Sequence, residues 1–155
     1  MANIQYLETD AYGIDQIRPL WEQLVLHHKA RSTNFKDIYD TFTFEKRKAD
    51  LLNKSRNGLL RVDIARDNDR DIGYCVSTVK EGEGEIDSIF IEPGYRSAGV
   101  GSAFMERAVA WMDGQHVAIK RVAVAVGNED AFGFYQKFGF LPRQVILEQK
   151  RNAQK

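Results

Sequence analysis

The chain has 155 residues, in which 22 Lys plus Arg balance 22 Asp plus Glu. That neutrality argues against the broad cationic footprint of a nucleic-acid binder, and a lone cysteine, Cys75, rules out an intrachain disulfide and fits a reducing compartment. No basic segment followed by an apolar run opens the chain, and no apolar stretch approaches the ~20 residues of a membrane span, so the expectation is a cytoplasmic protein with neither nucleic acid nor membrane as partner.

The length fits one domain over residues 1–155, able to bury a core without a disulfide or metal. Residues 3–8 alternate around Ile4 and Tyr6 and predict a short strand. Ile17, Leu20, Trp21, Leu24, Val25 and His28 recur at helical spacing, with Pro19 near the helix start. A loop over 31–40 and a charged helix over about 43–53 follow, closed by Asn57-Gly58. The period then becomes two. Strands are expected over 59–66 and 72–79, forming a hairpin about Asp67-Asn68-Asp69, and over 85–91, stopped by Pro93-Gly94. Val100, Phe104, Ala108, Trp111 and Met112 stripe a helix over 99–113 that ends at Gly114. The apolar run Val122 to Val126 reads as a strand covered on both faces. Asn128 is placed to cap a helix with Ala131, Phe134, Tyr135 and Phe138 inward and Gly139 at its end, and a last strand is expected over 143–149. Hairpins followed by a strand–helix–strand crossover imply an α/β (α+β) fold, with a mixed sheet holding one parallel pair and helices packed on it.

The segment richest in chemistry runs from Glu92 through Pro93, Gly94, Tyr95, Arg96, Ser97, Ala98, Gly99 and Val100 to Gly101. A strand ends, the chain turns, and two glycines open an amphipathic helix. The first N–H groups of a helix lack intrahelical partners and carry partial positive charge, so they suit a phosphate or pyrophosphate. Glycine at 99 and 101 places no Cβ between those groups and a ligand, and Arg96 adds a cation. A glycine pair before a helix also serves as a plain turn. The loop is not a Walker A site, because no Lys-Ser/Thr follows, and Phe104 stands where G-x-G-x-x-G needs its third glycine.

Arg96-x-x-Gly99-x-Gly101, after a strand and before a helix, resembles the acyl-CoA pyrophosphate motif (Q/R-x-x-G-x-G/A) of the GNAT N-acetyltransferase superfamily. Asn128-x-x-Ala131-x-x-Phe134-Tyr135-x-Lys137-x-Gly139-Phe140 resembles the later helix segment of that family, at the family's spacing. The likeness covers about Leu59 to Pro142; the first ~55 residues match only as a strand and two helices. It implies a mostly antiparallel sheet with one splayed parallel pair and helices on both faces. It implies acetyl-CoA as co-substrate, bound by backbone N–H groups of Arg96, Ser97, Ala98, Gly99, Val100, Gly101 and Ser102, by the strand end Ile89, Phe90, Ile91, and by Asn128, with Tyr135 near the thioester sulfur and Lys137 beside it on the same motif. It implies an N-acetyltransferase acting by direct attack of a primary amine, small-molecule or peptide, in a ternary complex, and a homodimer by analogy. The alternative on the same fold is a non-catalytic acyl-CoA sensor or regulatory module.

Amine acylation needs a free amine and a protonated leaving group. The resemblance makes Tyr135 the acid for the CoA thiolate and Glu85 the base, with Asp87, two residues on and on the same strand side, as second choice. A strand N–H near Ile91 would hold the oxyanion. The plainer readings are a packed aromatic for Tyr135 and a solvated acidic turn for Glu81, Glu83 and Glu85. His27 and His28 lie on the first helix with no ligand partners at metal spacing, so no metal site is expected. Cys75 is expected in the core. Phe35, Tyr39, Phe42 and Phe44 are candidates for an acceptor pocket or for core packing. Gly133, inside a helix, is read as permitting close approach of the cofactor or a strand.

Overall fold

The computed structural model describes residues 3–151. Its elements follow the chain as β1 (Ile4–Thr9), α1 (Arg18–Arg31), α2 (Phe44–Arg56), β2 (Gly58–Asp67), β3 (Arg70–Lys80), β4 (Glu83–Ile91), α3 (Val100–Gly114), β5 (Ile119–Val122) and α4 (Ala131–Gln136). One 3-10 segment (Ala11–Ile17) leads into α1, and another (Lys36–Thr41) occupies the stretch expected to be a loop. The strands stand in sequence order, β1-β2-β3-β4-β5, in one sheet. Every pairing is antiparallel except β4 with β5.

Local chemistry explains the boundaries. Pro19 sits in the first turn of α1, where its missing N–H costs nothing. Thr43 caps α2, its Oγ1 accepting from the Lys46 amide at 3.3 Å. Asn68 turns the β2–β3 hairpin and Glu81 with Gly82 turns β3–β4, all three at positive φ. β3 is the middle strand, buried along nearly its whole length, because helices cover both faces. One face packs Tyr74 and Val76 against Ile17, Leu20, Trp21, Phe44 and Leu51 from the α1–α2 side. The other packs Ile72, Cys75 and Val79 against Val100, Phe104, Met105, Ala108 and Met112 of α3, together with Tyr135 of α4. Cys75 lies in that core as expected, and burial pushes its thiol up to about 12.

The structure corrects the expectation at four places. The expected last strand, 143–149, does not form: the segment is irregular, and all of its residues are exposed. β5 spans Ile119–Val122 rather than 122–126, and it is not covered on both faces. The chain leaves the ladder after Val122, while β4 stays paired with β3 as far as Ile91. Asn128 does not cap α4. The cap position is Asp130, in helical conformation and without a side-chain bond, and the Asn128 carbonyl instead accepts from the Ala131 amide. No strand approaches Gly133, whose Cβ direction opens into free space.

Candidate active site

The parallel pair is short. β4 and β5 run together only from Glu83–Ile119 to Ile86–Val122 and then part. From Asp87 to Ile91 the β5-facing edge of β4 has no strand partner among the described residues. Extended backbone with free N–H and C=O groups on one side of a cleft is what an amide-bearing chain needs for pairing. Ile89, Phe90 and Ile91, the residues expected to meet the arm of the co-substrate, lie on this unpaired stretch.

At the end of β4 the chain turns through Pro93–Tyr95 and enters α3. Gly99 holds the cap position at φ +78°, a left-handed conformation that a side chain resists, and a Cβ there would meet nothing within 4 Å. No side chain caps α3, so the N–H groups of Val100, Gly101 and Ser102 stay available for an anion. Arg96, Ser97, Ala98 and Gly99 are exposed. Gly101 has a different reason: its Cβ would stand 3.1 Å from the Phe134 ring, so the glycine lets α4 pack on α3. Arg96 folds back on β4, donating from Nε to the Ile91 carbonyl at 3.0 Å with its guanidinium over the Phe90 ring. It ties the loop to the strand end. The open, uncapped, glycine-bearing turn fits a pyrophosphate, and the unpaired strand edge beside it fits an amide-containing arm.

Tyr135 sits on the α3–α4 face in one apolar cluster with Ile86, Ile89, Ile91, Val122 and Val124, which line the parted strands. Burial raises its phenol to about 12, and no hydrogen bond to its hydroxyl contributes. The group stays protonated at neutral pH. Lys137 lies exposed one turn-position beyond α4, and its amide donates to the Phe134 carbonyl.

Across the sheet lies a polar cluster. β4 carries an extra residue opposite β3, where the register jumps between Val76–Ser88 and Ser77–Ile86 and leaves Asp87 bulged. The bulge shifts the alternation. Ile86 and Ile89 face α3, while Asp87 and Ser88 both face the α1–α2 side. Asp87 is 3% exposed in its side chain and is held at 2.6 Å by both Lys54 Nζ and Thr78 Oγ1. Lys54 also donates to Glu85 Oε1 at 3.0 Å, and Arg47 donates to the Asp87 carbonyl at 2.7 Å. Burial raises the Asp87 carboxyl, and the Lys54 and Thr78 hydrogen bonds hold that rise back. Burial works against the Lys54 charge, yet Asp87 and Glu85 outweigh it and raise its pKa. Glu85 and Asp87 do share a side of the strand, and neither is a free carboxylate in an acidic turn. Lys54 is the residue that sequence reasoning missed; only its position on a charged helix was visible.

The far wall of the cleft comes from α1. Arg31 donates to the Gly127 carbonyl at 3.2 Å and pairs with Asp130 at 2.6 Å. His27 lies against the Asn128 side chain, and burial, then the nearby Arg96 charge, lowers its pKa. Asn128, Arg96 and His27 thus converge at the mouth, with His27 an unforeseen third member. Burial also lowers His28, which stacks on Tyr39, and Tyr39 packs edge-on to Phe42. Phe35 and Ile38 line a cavity of about 440 Å³. Phe44 belongs to the core beside Trp21, so it leaves the set of acceptor candidates. Among the described residues, no group of three or more His, Cys, Asp or Glu is placed to hold a metal ion, and no helix is long and apolar enough to cross a membrane.

Comparison with known proteins agrees with this geometry. An N-acetyltransferase of Methanocaldococcus jannaschii, itself uncharacterised, is 25% identical over 103 residues, covering 62% of this chain and 44% of its own length. The chain therefore matches less than half of that relative. The fold superposes on an aminoglycoside N-acetyltransferase AAC(6')-Iy in complex with CoA (TM-score 0.69, 17% identity, 98% and 97% of the two chains). It also superposes on the PaiA N-acetyltransferase of Thermoplasma acidophilum in complex with coenzyme A (0.69, 17%, 88% of each) and on an N-acetyltransferase of Ralstonia eutropha (0.74, 13%, 96% and 99%). The family described as "Acetyltransferase (GNAT) family" matches residues 21–140. With its mixed sheet, parted parallel pair and glycine turn, the chain belongs to the acetyltransferase (GNAT) family.

Proposed function

We propose that the protein is an acetyl-CoA-dependent N-acetyltransferase that moves the acetyl group directly to a primary amine in a ternary complex. The observation that carries this reading is the parting of β4 from β5 after Ile86–Val122, between an uncapped α3 N-terminus and a protonated Tyr135. In this reading the amides from Arg96 to Ser102 hold the pyrophosphate, and Ile89, Phe90, Ile91 and Asn128 align the arm. Acetyl-CoA supplies the activated acyl group. The amine nitrogen bonds to the acyl carbon, the carbon–sulfur bond breaks, and Tyr135 gives its proton to the departing sulfur. The proton lost by the amine goes to the Glu85–Asp87 side of β4, where Glu85 is the more accessible carboxylate. Cys75 takes no acyl group, because a buried thiol raised to about 12 is not a nucleophile at neutral pH.

The acceptor enters from the α1–α2 side, past Tyr39 and Phe42, as a cytoplasmic small molecule or peptide amine. Aminoglycosides, named for one structural neighbour, belong in the first panel. The whole chain acts as one catalytic unit, without a metal.

The test is titration of the protein with acetyl-CoA, alongside turnover over an amine panel. Acetyl-CoA binding lost in the Gly99→Ala/Gly101→Ala variant is expected. Tyr135→Phe is expected to keep that affinity while lowering kcat by roughly 10²-fold, the scale of one general acid. Unchanged turnover in Tyr135→Phe removes the tyrosine from the reaction. Tight binding without transfer to any amine favours an acyl-CoA sensor on the same fold.

A further inference from the structure

A base takes a proton only from a group within hydrogen-bond reach, so an amine served by Glu85 has to sit beside that carboxylate. A cavity of about 190 Å³ borders it. Lys54 of α2 forms another part of the wall, which puts the cavity on the α1–α2 side of the sheet. It also adjoins the point where the strands part. Arg121, a third wall residue, stands across from Glu85 in the parallel ladder, and Ile86–Val122 is the next and last rung.

The lining decides what fits. Among the described residues no aliphatic or aromatic side chain borders the cavity, and Gly84 is its one uncharged member. The sequence shows the acidic run Glu81, Glu83, Glu85 by itself. Folding sets three cations against it. Lys80 lies across from Glu83 in the antiparallel ladder, Arg121 across from Glu85 in the parallel one, and Lys54 arrives from α2. An acidic pocket would draw a polycation; a balanced one does not. Within the balance, Glu85 pairs with Lys54 at 3.0 Å and Glu83 with Arg121 at 3.2 Å. Lys80 has no carboxylate at ion-pair distance among the described residues. An ammonium without a partner, next to a guanidinium, suits a carboxylate on the ligand. Glu85 suits the ligand's amine. The volume is below the roughly 300–1,000 Å³ of pockets that enclose drug-sized ligands, so the molecule is small.

We propose that this cavity seats the acceptor and that the acceptor is a small α-amino acid, its amine toward Glu85 and its carboxylate between Lys80 and Arg121. The assignment rests on the acyl-transfer reading and narrows it. The amine nitrogen bonds to the acyl carbon and the carbon–sulfur bond breaks. The products are an N-acetyl amino acid, the CoA thiol and one proton, which leaves through Glu85. Aminoglycosides and polyamines are poor acceptors, since each brings several cations and no carboxylate.

Glycine, glycinamide and ethylenediamine, offered with acetyl-CoA, test the seat; glycine carries the core that every α-amino acid shares. Glycine is expected to have a KM lower than glycinamide by roughly tenfold or more, the scale of one hydrogen-bonded charge. Lys80→Gln/Arg121→Gln is expected to abolish that difference with acetyl-CoA affinity unchanged. Lys80→Glu is expected to reverse the order, favouring ethylenediamine over glycine. Equal KM values for glycine and glycinamide in the wild type overturn the proposal, as does a glycine preference that survives the double variant. A second measurement needs no turnover. The amide chemical shifts of Gly84 and Arg121 are followed as glycine or glycinamide is titrated into the protein, with and without CoA. Saturable changes with glycine alone are expected, and their absence overturns the seat. Glycine that binds there in a protein acetylating no amine supports the seat and removes the acyltransferase reading. Transfer to amines irrespective of a carboxylate overturns the seat and leaves the enzyme.

Discussion

Lys54 holds two carboxylates, Asp87 at 2.6 Å and Glu85 at 3.0 Å. Asp87 is almost fully enclosed, so its charge depends on Lys54 and on the Thr78 hydroxyl. Removing a partner from an enclosed charge costs more than the pair contributes. Lys54→Met is expected to destabilise the fold by about 2 kcal/mol, below the fully buried case because Lys54 reaches solvent. Asp87→Asn in the same chain is expected to return part of that loss, since the amide still accepts from Thr78. Chemical denaturation of the two singles and the double checks both statements. Additive losses would show that the two groups do not depend on each other. That Glu85 and Asp87 share one side of β4 was legible from the strand period. Lys54 was not, because 31 residues separate it from Glu85 and only packing of α2 on the sheet brings them together.

At the scale of elements, the cleft is set by two backbone irregularities. The bulge at Asp87 turns Ser88 and Phe90 toward α1 and leaves Ile89 and Ile91 on the α3 side. On the opposite wall, Gly127 stands at φ +101°, and a Cβ there would lie 1.9 Å from the Arg31 carbonyl oxygen. That contact fastens the end of α1 to the β5–α4 connection, with Arg31 bonded across it. Gly127→Ala must therefore displace backbone and adopt a disfavoured φ. It is expected to cost about 2–3 kcal/mol, combining overpacking with left-handed strain. It is also expected to loosen the α1 wall, read as faster amide exchange over 26–31 than over α3. Equal exchange in the two helices would separate the clash from the wall. The bulge and the Gly127 contact were both invisible in the sequence, since each is defined by a neighbour distant in the chain.

For the whole molecule, three buried groups tie stability to alkaline pH. Burial raises Cys75 from 9.0 to about 12, raises Tyr135 from 10.0 to about 12, and raises Tyr74 as well. A raised pKa means that the folded chain keeps protons the unfolded chain has lost. The unfolded state binds fewer protons above its own pKa values, so stability falls as pH rises. The stabilisation is complete below pH about 9, begins to fall as unfolded Cys75 ionises, and steepens above 10 as the tyrosines follow. Each group contributes about 1.4 kcal/mol per pH unit inside its window. Urea midpoints measured from pH 8 to 11 check this, and Cys75→Ala is expected to remove the earliest part of the decline. The same shift keeps Tyr135 protonated as an acid, so turnover is expected to show no loss through Tyr135 below pH 11.

The sequence by itself determined the helices, the central strands and the turn that opens α3. Those features follow from local period, from glycine at a left-handed position and from the uncapped first turn of a helix. It also determined the family, through two motifs whose residues lie close along the chain. Tertiary structure decided the rest, because the rest depends on neighbours. Gly101 is glycine because Phe134 packs there, and Arg96 reaches back to Ile91. Val122 to Val126 has strand composition, yet only Val122 of that run stays in the ladder, while β4 continues along β3 to Ile91. Residues 143–149 have strand composition as well, and a strand needs an edge to pair with. Composition supplies the propensity; the partner's position in space decides whether a strand forms.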